Sequence, residues 1–235
     1  EARTLPAGTF TPPGAARDAQ PNIAFRDLPA FCRVAATLKP SSDSDIKIEV
    51  WLPTSNWNGR FQAVGNGGWA GSINYPAMAD ALKRGYATSS TDSGHQGAGG
   101  PWMQRPEKLT DFGYRSVHEM ATKGKAITAA FYGDGPRLSY FNGCSGGGRQ
   151  GLMEAQRFPE DFDGIIAGAP ARNTTGRAAF AMWIAQVAAA TVPHMSKGLS
   201  PSLATTSMAS IATAMVLVAS RTNSAAAEQG ELLWL

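Results

Sequence analysis

Gly143-Cys144-Ser145-Gly146-Gly147 is the segment of this sequence whose residue types and spacing point most directly to chemistry. It fits G-x-S-x-G, one serine oxygen with glycines two positions to either side. The flanking sequence supplies the context such a serine requires. Leu138–Asn142 reads as a short strand and Arg149–Arg157 as a helix. A turn that tight holds the serine in a strained backbone region and lifts its oxygen above the sheet edge. It also points the Gly146 N–H, near the helix start, at the place where an oxyanion would form. The implied chemistry is acyl transfer through Ser145 as nucleophile. A phosphate loop would end in Lys, whereas Arg149-Gln150 follows here. A dinucleotide fingerprint would open the fold rather than follow three earlier strands.

A second glycine knot, Gly65–Gly71 (GNGGWAG), lies at the exit of the short apolar strand Phe61–Val64. Taken alone it is as well explained by an ordinary turn. Beside an elbow it reads as the loop that supplies the second oxyanion donor, with Gly68 favoured over Gly67. The base is harder to find. The usual chain order of serine, acid, histidine places it downstream, and only His194 follows Ser145. His95 falls in the polar loop 92–100, and His118 falls on a helical segment where packing or hydrogen bonding is the simpler role. No histidine emerges as the base from spacing alone.

The elements that must position these residues alternate along the chain. Ile46–Leu52, Phe61–Val64, Tyr86–Thr91, Leu138–Asn142 and Gly164–Ala169 read as strands. Tyr75–Arg84, closed by Gly85, and Tyr114–Tyr132 read as helices. This alternation implies an α/β architecture with a largely parallel sheet and flanking helices. With the elbow it describes a partial α/β-hydrolase fold. Residues 1–20, rich in Pro, Gly and Ala, read as an extended arm, and residues 21–190 as the core. Residues 191–235 form an atypical tail whose only charges after Leu199 are Arg221, Glu228 and Glu231. The tail reads as an altered reading frame.

Composition excludes several classes. The 235 residues carry 21 Lys+Arg against 18 Asp+Glu, and the net +3 is spread without the basic patch that nucleic-acid binding needs. At 43% hydrophobic and 17% charged the chain is globular. The apolar run Ile211–Ser220 covers about half a bilayer span, which argues against a membrane partner. The N-terminus has no basic and apolar leader pattern. Cys32 and Cys144 are far apart and make no metal-ligand spacing, so no metal site is expected. They are free and buried, paired with each other, or halves of bridges completed elsewhere.

Several ordered blocks together resemble the tannase and feruloyl esterase family of secreted α/β-hydrolases. They are Trp57-Asn58-Gly59-Arg60-Phe61 leading into Gly65–Gly71, then Thr91-Asp92-Ser93-Gly94-His95, then Asp111–His118. Gly143–Gln150, Phe158–Gly164 and Leu28–Val34 complete the set. The resemblance implies that Ser145 is the nucleophile. It implies that Cys144 pairs with a cysteine beside the catalytic histidine and that Cys32 pairs upstream. An oxidising compartment, secreted or periplasmic, follows from those bridges. The substrates implied are small-molecule esters of aromatic acids such as gallate or ferulate, with no cofactor for the chemistry. The family also carries a lid, inserted after Gly164–Pro170, with a structural calcium site, and the resemblance makes the start of that lid the alternative reading of residues 191–235.

This sequence departs from the pattern in length, since the family's catalytic Asp, its His-Cys pair and its calcium loop match nothing here. Gly151, inside the elbow helix, is a smaller departure, costing up to about 1 kcal/mol relative to Ala. The expectation is a truncated esterase with weak or no activity. The alternatives are a non-catalytic remnant or ligand-binding scaffold, and a small hydrolase that recruits His194.

Overall fold

A computed structural model describes residues 1–13, 23–98, 100–195 and 218–220. The elements run in the order β1 (Ala2–Leu5), α1 (Ile23–Arg26), β2 (Phe31–Leu38), β3 (Ile46–Pro53), β4 (Arg60–Val64), β5 (Ala70–Gly71), α2 (Tyr75–Lys83), β6 (Ala87–Thr91) and β7 (Gly97–Ala98). They continue with α3 (Pro106–Thr110), α4 (Ser116–Tyr132), β8 (Leu138–Cys144), α5 (Gly146–Arg157), β9 (Gly164–Gly168), α6 (Thr174–Met195) and β10 (Val218–Ser220). A π-helical turn, Asp111–Arg115, joins α3 to α4.

The main sheet has the order β1-β2-β3-β6-β4-β8-β9-β10, while β5 and β7 pair separately. Its centre, β6-β4-β8-β9, is parallel. The flanking pairs β1–β2, β2–β3, β3–β6 and β9–β10 are antiparallel, so the sheet is mixed around a parallel core. The outer strands β1 and β2 were hidden in the sequence. The alternation of FCRVAATL is weak, and β1 lies within the stretch that composition marked as an arm.

Strand alternation sends side chains to two cores. On one face Ile46, Ile48, Val50, Phe61, Ala63 and Phe141 meet Val117, Met120 and Ala121 of α4. On the other, Trp51 and Val64 meet Met78, Ala79 and Leu82 of α2, together with Phe10 from the N-terminal segment. The chain therefore leaves β4 toward one face and β8 toward the other. Adjacent parallel strands whose connections diverge in this way open a crevice at their carboxyl ends. Both glycine knots sit there.

Helix α2 starts at Asn74, whose side chain accepts the Ala77 N–H, and stops before Gly85. At Gly85 φ is +80° and a Cβ would lie 2.8 Å from Asn56 O. Helix α5 begins at Gly146, three residues ahead of the sequence expectation. Glycine's poor helix propensity hid a first turn that close packing demands. Helix α6 carries Phe180, Met182 and Trp183 exposed. No helix among the described residues is long and apolar enough to cross a membrane.

Candidate active site

Ser145 stands between β8 and α5 with φ 59° and ψ −113°, a conformation costly for any residue with a Cβ. Its own backbone pins the turn: its N–H donates to Gly168 O at 2.9 Å, and its carbonyl accepts from Arg149 and Ala171 N–H at 3.0 Å each. The surrounding glycines are required by contact. A Cβ on Gly143 would lie 2.5 Å from the Gly147 carbonyl carbon, and one on Gly148 would lie 2.8 Å from Pro170 Cα. Gly151 has a similar reason, since its Cβ would meet Ile165 Cγ2 at 3.0 Å and Phe141 Cδ1 at 3.2 Å. The helix-interior glycine that looked anomalous in sequence lets α5 settle onto β8 and β9. The serine itself is exposed, and its hydroxyl bonds to no described side chain.

The structure brings Gly68 to Gly146. A Cβ on Gly146 would lie 3.1 Å from Gly68 N and 2.9 Å from Gly68 O, so the two backbones are in direct contact. Gly68 has φ +55° and open space where a Cβ would point, whereas Gly65 lies hard against Gly147, with 2.6 Å from its Cβ position to Gly147 Cα. Gly67 faces open space.

A buried polar network fixes this loop to the elbow helix. Asn66 N–H donates to Gln150 Oε1 at 3.0 Å, and Gln150 Nε2 returns a bond to Asn66 Oδ1 at 3.0 Å. Asn66 Nδ2 donates to Ser72 O and Thr91 O, both at 2.7 Å, and Ser93 Oγ donates to Asn66 Oδ1 at 3.2 Å. Three strand exits, those of β4, β6 and β8, are thus cross-linked at one point. Asn66, Ser93 and Gln150 lie within the blocks that carry the family resemblance, where spacing alone assigns them no task. The available signal was polar side chains flanked by glycine at strand ends.

The histidines lie elsewhere. His95 is buried and its Nε2 bonds Trp69 O at 2.9 Å; a carbonyl accepts, so Nε2 carries the proton. Its ring stacks on Trp102 with centroids 4.0 Å apart. It therefore holds the Gly-rich loop. His118 Nδ1 bonds Asp161 Oδ2 at 2.7 Å and stacks on Phe158 at 4.0 Å. Lys125 Nζ donates to Asp161 O at 2.8 Å. That pair has the composition of a catalytic dyad, but Phe158 caps the far end of α5. Twelve helical residues put it about 18 Å from Ser145. His194 lies on the last turn of α6, and its side chain is outside the described residues.

Two carboxyls are displaced upward. Burial raises Asp92 to about 6, although Oδ1 accepts the Lys47 and Gly94 N–H groups at 2.9 Å. Burial, then the neighbouring Asp161, raises Glu154 to about 9. Cys32 is buried and Cys144 exposed beside Ser145; both are free thiols, and they are not paired with each other. Burial pushes the Cys32 thiol up. Among the described residues no three His, Cys, Asp or Glu side chains converge as metal ligands.

Comparison with known proteins gives a consistent result. A family model described as "Tannase and feruloyl esterase" matches residues 32–213, reaching further into the tail than the sequence blocks did. An esterase of Xanthomonas campestris pv. campestris is 43% identical over 186 residues, covering 77% of this chain and 31% of that protein. A probable feruloyl esterase B-1 of Aspergillus fumigatus is 48% identical over 144 residues, 61% of this chain and 27% of that protein. The crystal structure of feruloyl esterase B from Aspergillus oryzae is similar with a TM-score of 0.66 at 42% identity, covering 73% of this chain and 33% of that one. Tannin acyl hydrolase from Aspergillus niger follows with a TM-score of 0.57 at 25% identity, covering 73% and 32%. The matched region spans under a third of the length of these curated relatives.

Proposed function

Because the chain belongs to the tannase and feruloyl esterase family, we propose that it carries the nucleophile and oxyanion hole of a serine carboxylesterase for esters of phenolic acids such as gallate or ferulate. One observation carries this reading: an exposed Ser145 held at φ 59°, with Gly146 and Gly68 in backbone contact beside it.

In the reaction, Ser145 Oγ adds to the ester carbonyl carbon while its proton passes to a general base. The carbonyl oxygen becomes an oxyanion held by the N–H groups of Gly146 and Gly68. Collapse expels the alcohol, which takes up that proton and leaves an acyl-enzyme. Water then attacks the acyl carbonyl and releases the acid. The described side chains offer no base at Ser145. His194 is the one histidine that follows it, and a His194→Ala variant tests whether it serves. The same reading assigns no cofactor to the chemistry and calcium to the lid of longer members. It also assigns an extracytoplasmic, oxidising setting, a small-molecule aromatic ester as the partner, and neither nucleic acid nor membrane.

The test is labelling of the chain with a fluorophosphonate, followed by turnover of methyl ferulate. Stoichiometric labelling that disappears in Ser145→Ala, together with turnover, supports the esterase. The second reading, a non-catalytic remnant, is favoured by the absence of a described side chain bonded to the Ser145 hydroxyl. No labelling decides for it.

A further inference from the structure

We propose that Trp69 is a specificity-determining residue, and that its open indole face receives the aromatic ring of the substrate's acyl group. This rests on the ester-hydrolysis reading of Ser145. Trp69 follows Gly68 directly, and Gly68 touches Gly146 beside the nucleophile. In a loop otherwise made of glycine, alanine and asparagine, it is the one large side chain, and it is 47% exposed.

The indole is held in place from beneath. It stacks on Phe112 at 5.4 Å between centroids and 18° between planes. Phe112 is buried against Trp102 at 5.0 Å and His95 at 5.5 Å. The Arg149 guanidinium covers Phe112 at 4.6 Å and is tied to the Gly113 and Phe112 carbonyls at 2.9 and 3.1 Å. Arg149 lies four residues after Ser145, one turn along α5, so the stack stands on the elbow's own side of the helix. His95 fixes the Trp69 backbone through its carbonyl. A half-exposed tryptophan with fixed backbone, one stacked face and a neighbouring oxyanion hole loses little freedom on binding a planar ring. An acyl group whose carbonyl oxygen sits between Gly68 and Gly146 carries its aromatic ring within reach of that surface.

The test uses the 235-residue chain with Ser145→Ala, which binds ester without consuming it, and measures methyl ferulate and methyl butyrate binding by saturation-transfer NMR. Trp69→Leu is expected to weaken methyl ferulate by up to about tenfold and leave methyl butyrate unchanged, while Trp69→Phe keeps most of the preference. Thermal melts establish that the variants fold. Equal methyl ferulate binding in Trp69→Leu and the parent overturns the proposal, as does no ferulate binding by the parent. Fluorophosphonate labelling of the Ser145-containing chain reads the nucleophile separately. Absent labelling with intact, Trp69-dependent binding sinks the esterase reading alone.

Discussion

The two ends of helix α5 hold the same kinds of chemistry and put them to opposite uses. At its start, Ser145 is exposed, held at positive φ and surrounded by glycines that bring three strand exits together. Near its end, His118 and Lys125 bond Asp161 beside the buried Glu154, and His118 stacks on Phe158. A hydrogen-bonded His–Asp pair is therefore no sign of catalysis by itself. The glycine end spends stability on exposing one oxygen. The other end pairs His118 and Lys125 with Asp161, which ties α4 to the segment after α5, and leaves both Glu154 carboxyl oxygens buried without a hydrogen-bond partner among the described residues.

The largest effect separates the two ends outright. Ser145→Ala is expected to abolish fluorophosphonate labelling, whereas His118→Ala leaves the labelling rate within about twofold of the parent. Mass spectrometry of the intact chain reads both. Labelling lost in His118→Ala, with the fold intact, would break the comparison by moving the dyad into the active site.

Steric demand comes next. Gly148→Ala is expected to destabilise the chain by about 3 kcal/mol, because its Cβ meets Pro170 backbone with no side chain free to yield. Gly113→Ala, where a Cβ meets nothing within 4 Å, serves as the control and should cost under about 1 kcal/mol. Urea denaturation midpoints check the pair.

These glycines also show how far the sequence could be read. The elbow and the central strands were legible because period-two apolar runs and G-x-S-x-G are local patterns. β1 and β2 were not, because pairing at the antiparallel edge depends on partners distant in sequence rather than on a strong pattern of their own. The first turn of α5 read as loop, since the reason for three successive glycines is the approach of Gly65, Asn66, Gly68 and Pro170. The positioning role of His95 was likewise invisible, for only the fold places Trp69 O beside its ring.

A pH effect distinguishes the two ends by range. A carboxyl whose folded pKa is raised contributes stability that is fully present below its unfolded value and lost as pH rises through the folded one. Glu154 acts from about 4.5 toward 9, and Asp92, at the exit of β6, from about 3.8 toward 6. Glu154→Gln is expected to flatten the fall in stability on the alkaline side, and Asp92→Asn the fall on the acidic side. Denaturation series at half-unit pH steps separate them. A Glu154→Gln profile parallel to the parent's from pH 6 to 9 would show that its carboxyl ionises freely.

The smallest effect isolates backbone strain at the elbow. Ser145→Ala and Ser145→Gly both remove an exposed hydroxyl bonded to no described side chain, so their difference contains little beyond the backbone. At φ 59° and ψ −113° a Cβ is crowded, and glycine removes that cost, of order 1–3 kcal/mol. Against this, glycine gives the unfolded chain more freedom, roughly 0.5–1 kcal/mol. Ser145→Gly should therefore be more stable than Ser145→Ala by about 1 kcal/mol. At Gln156, exposed in the last turns of the same helix, the order should reverse, with Gln156→Ala the more stable by about as much. The same pair of residues thus ranks oppositely at the two ends of α5 only if the elbow is strained. An identical ranking at both would place the serine in an ordinary turn, without the stored strain that aims its oxygen at a substrate.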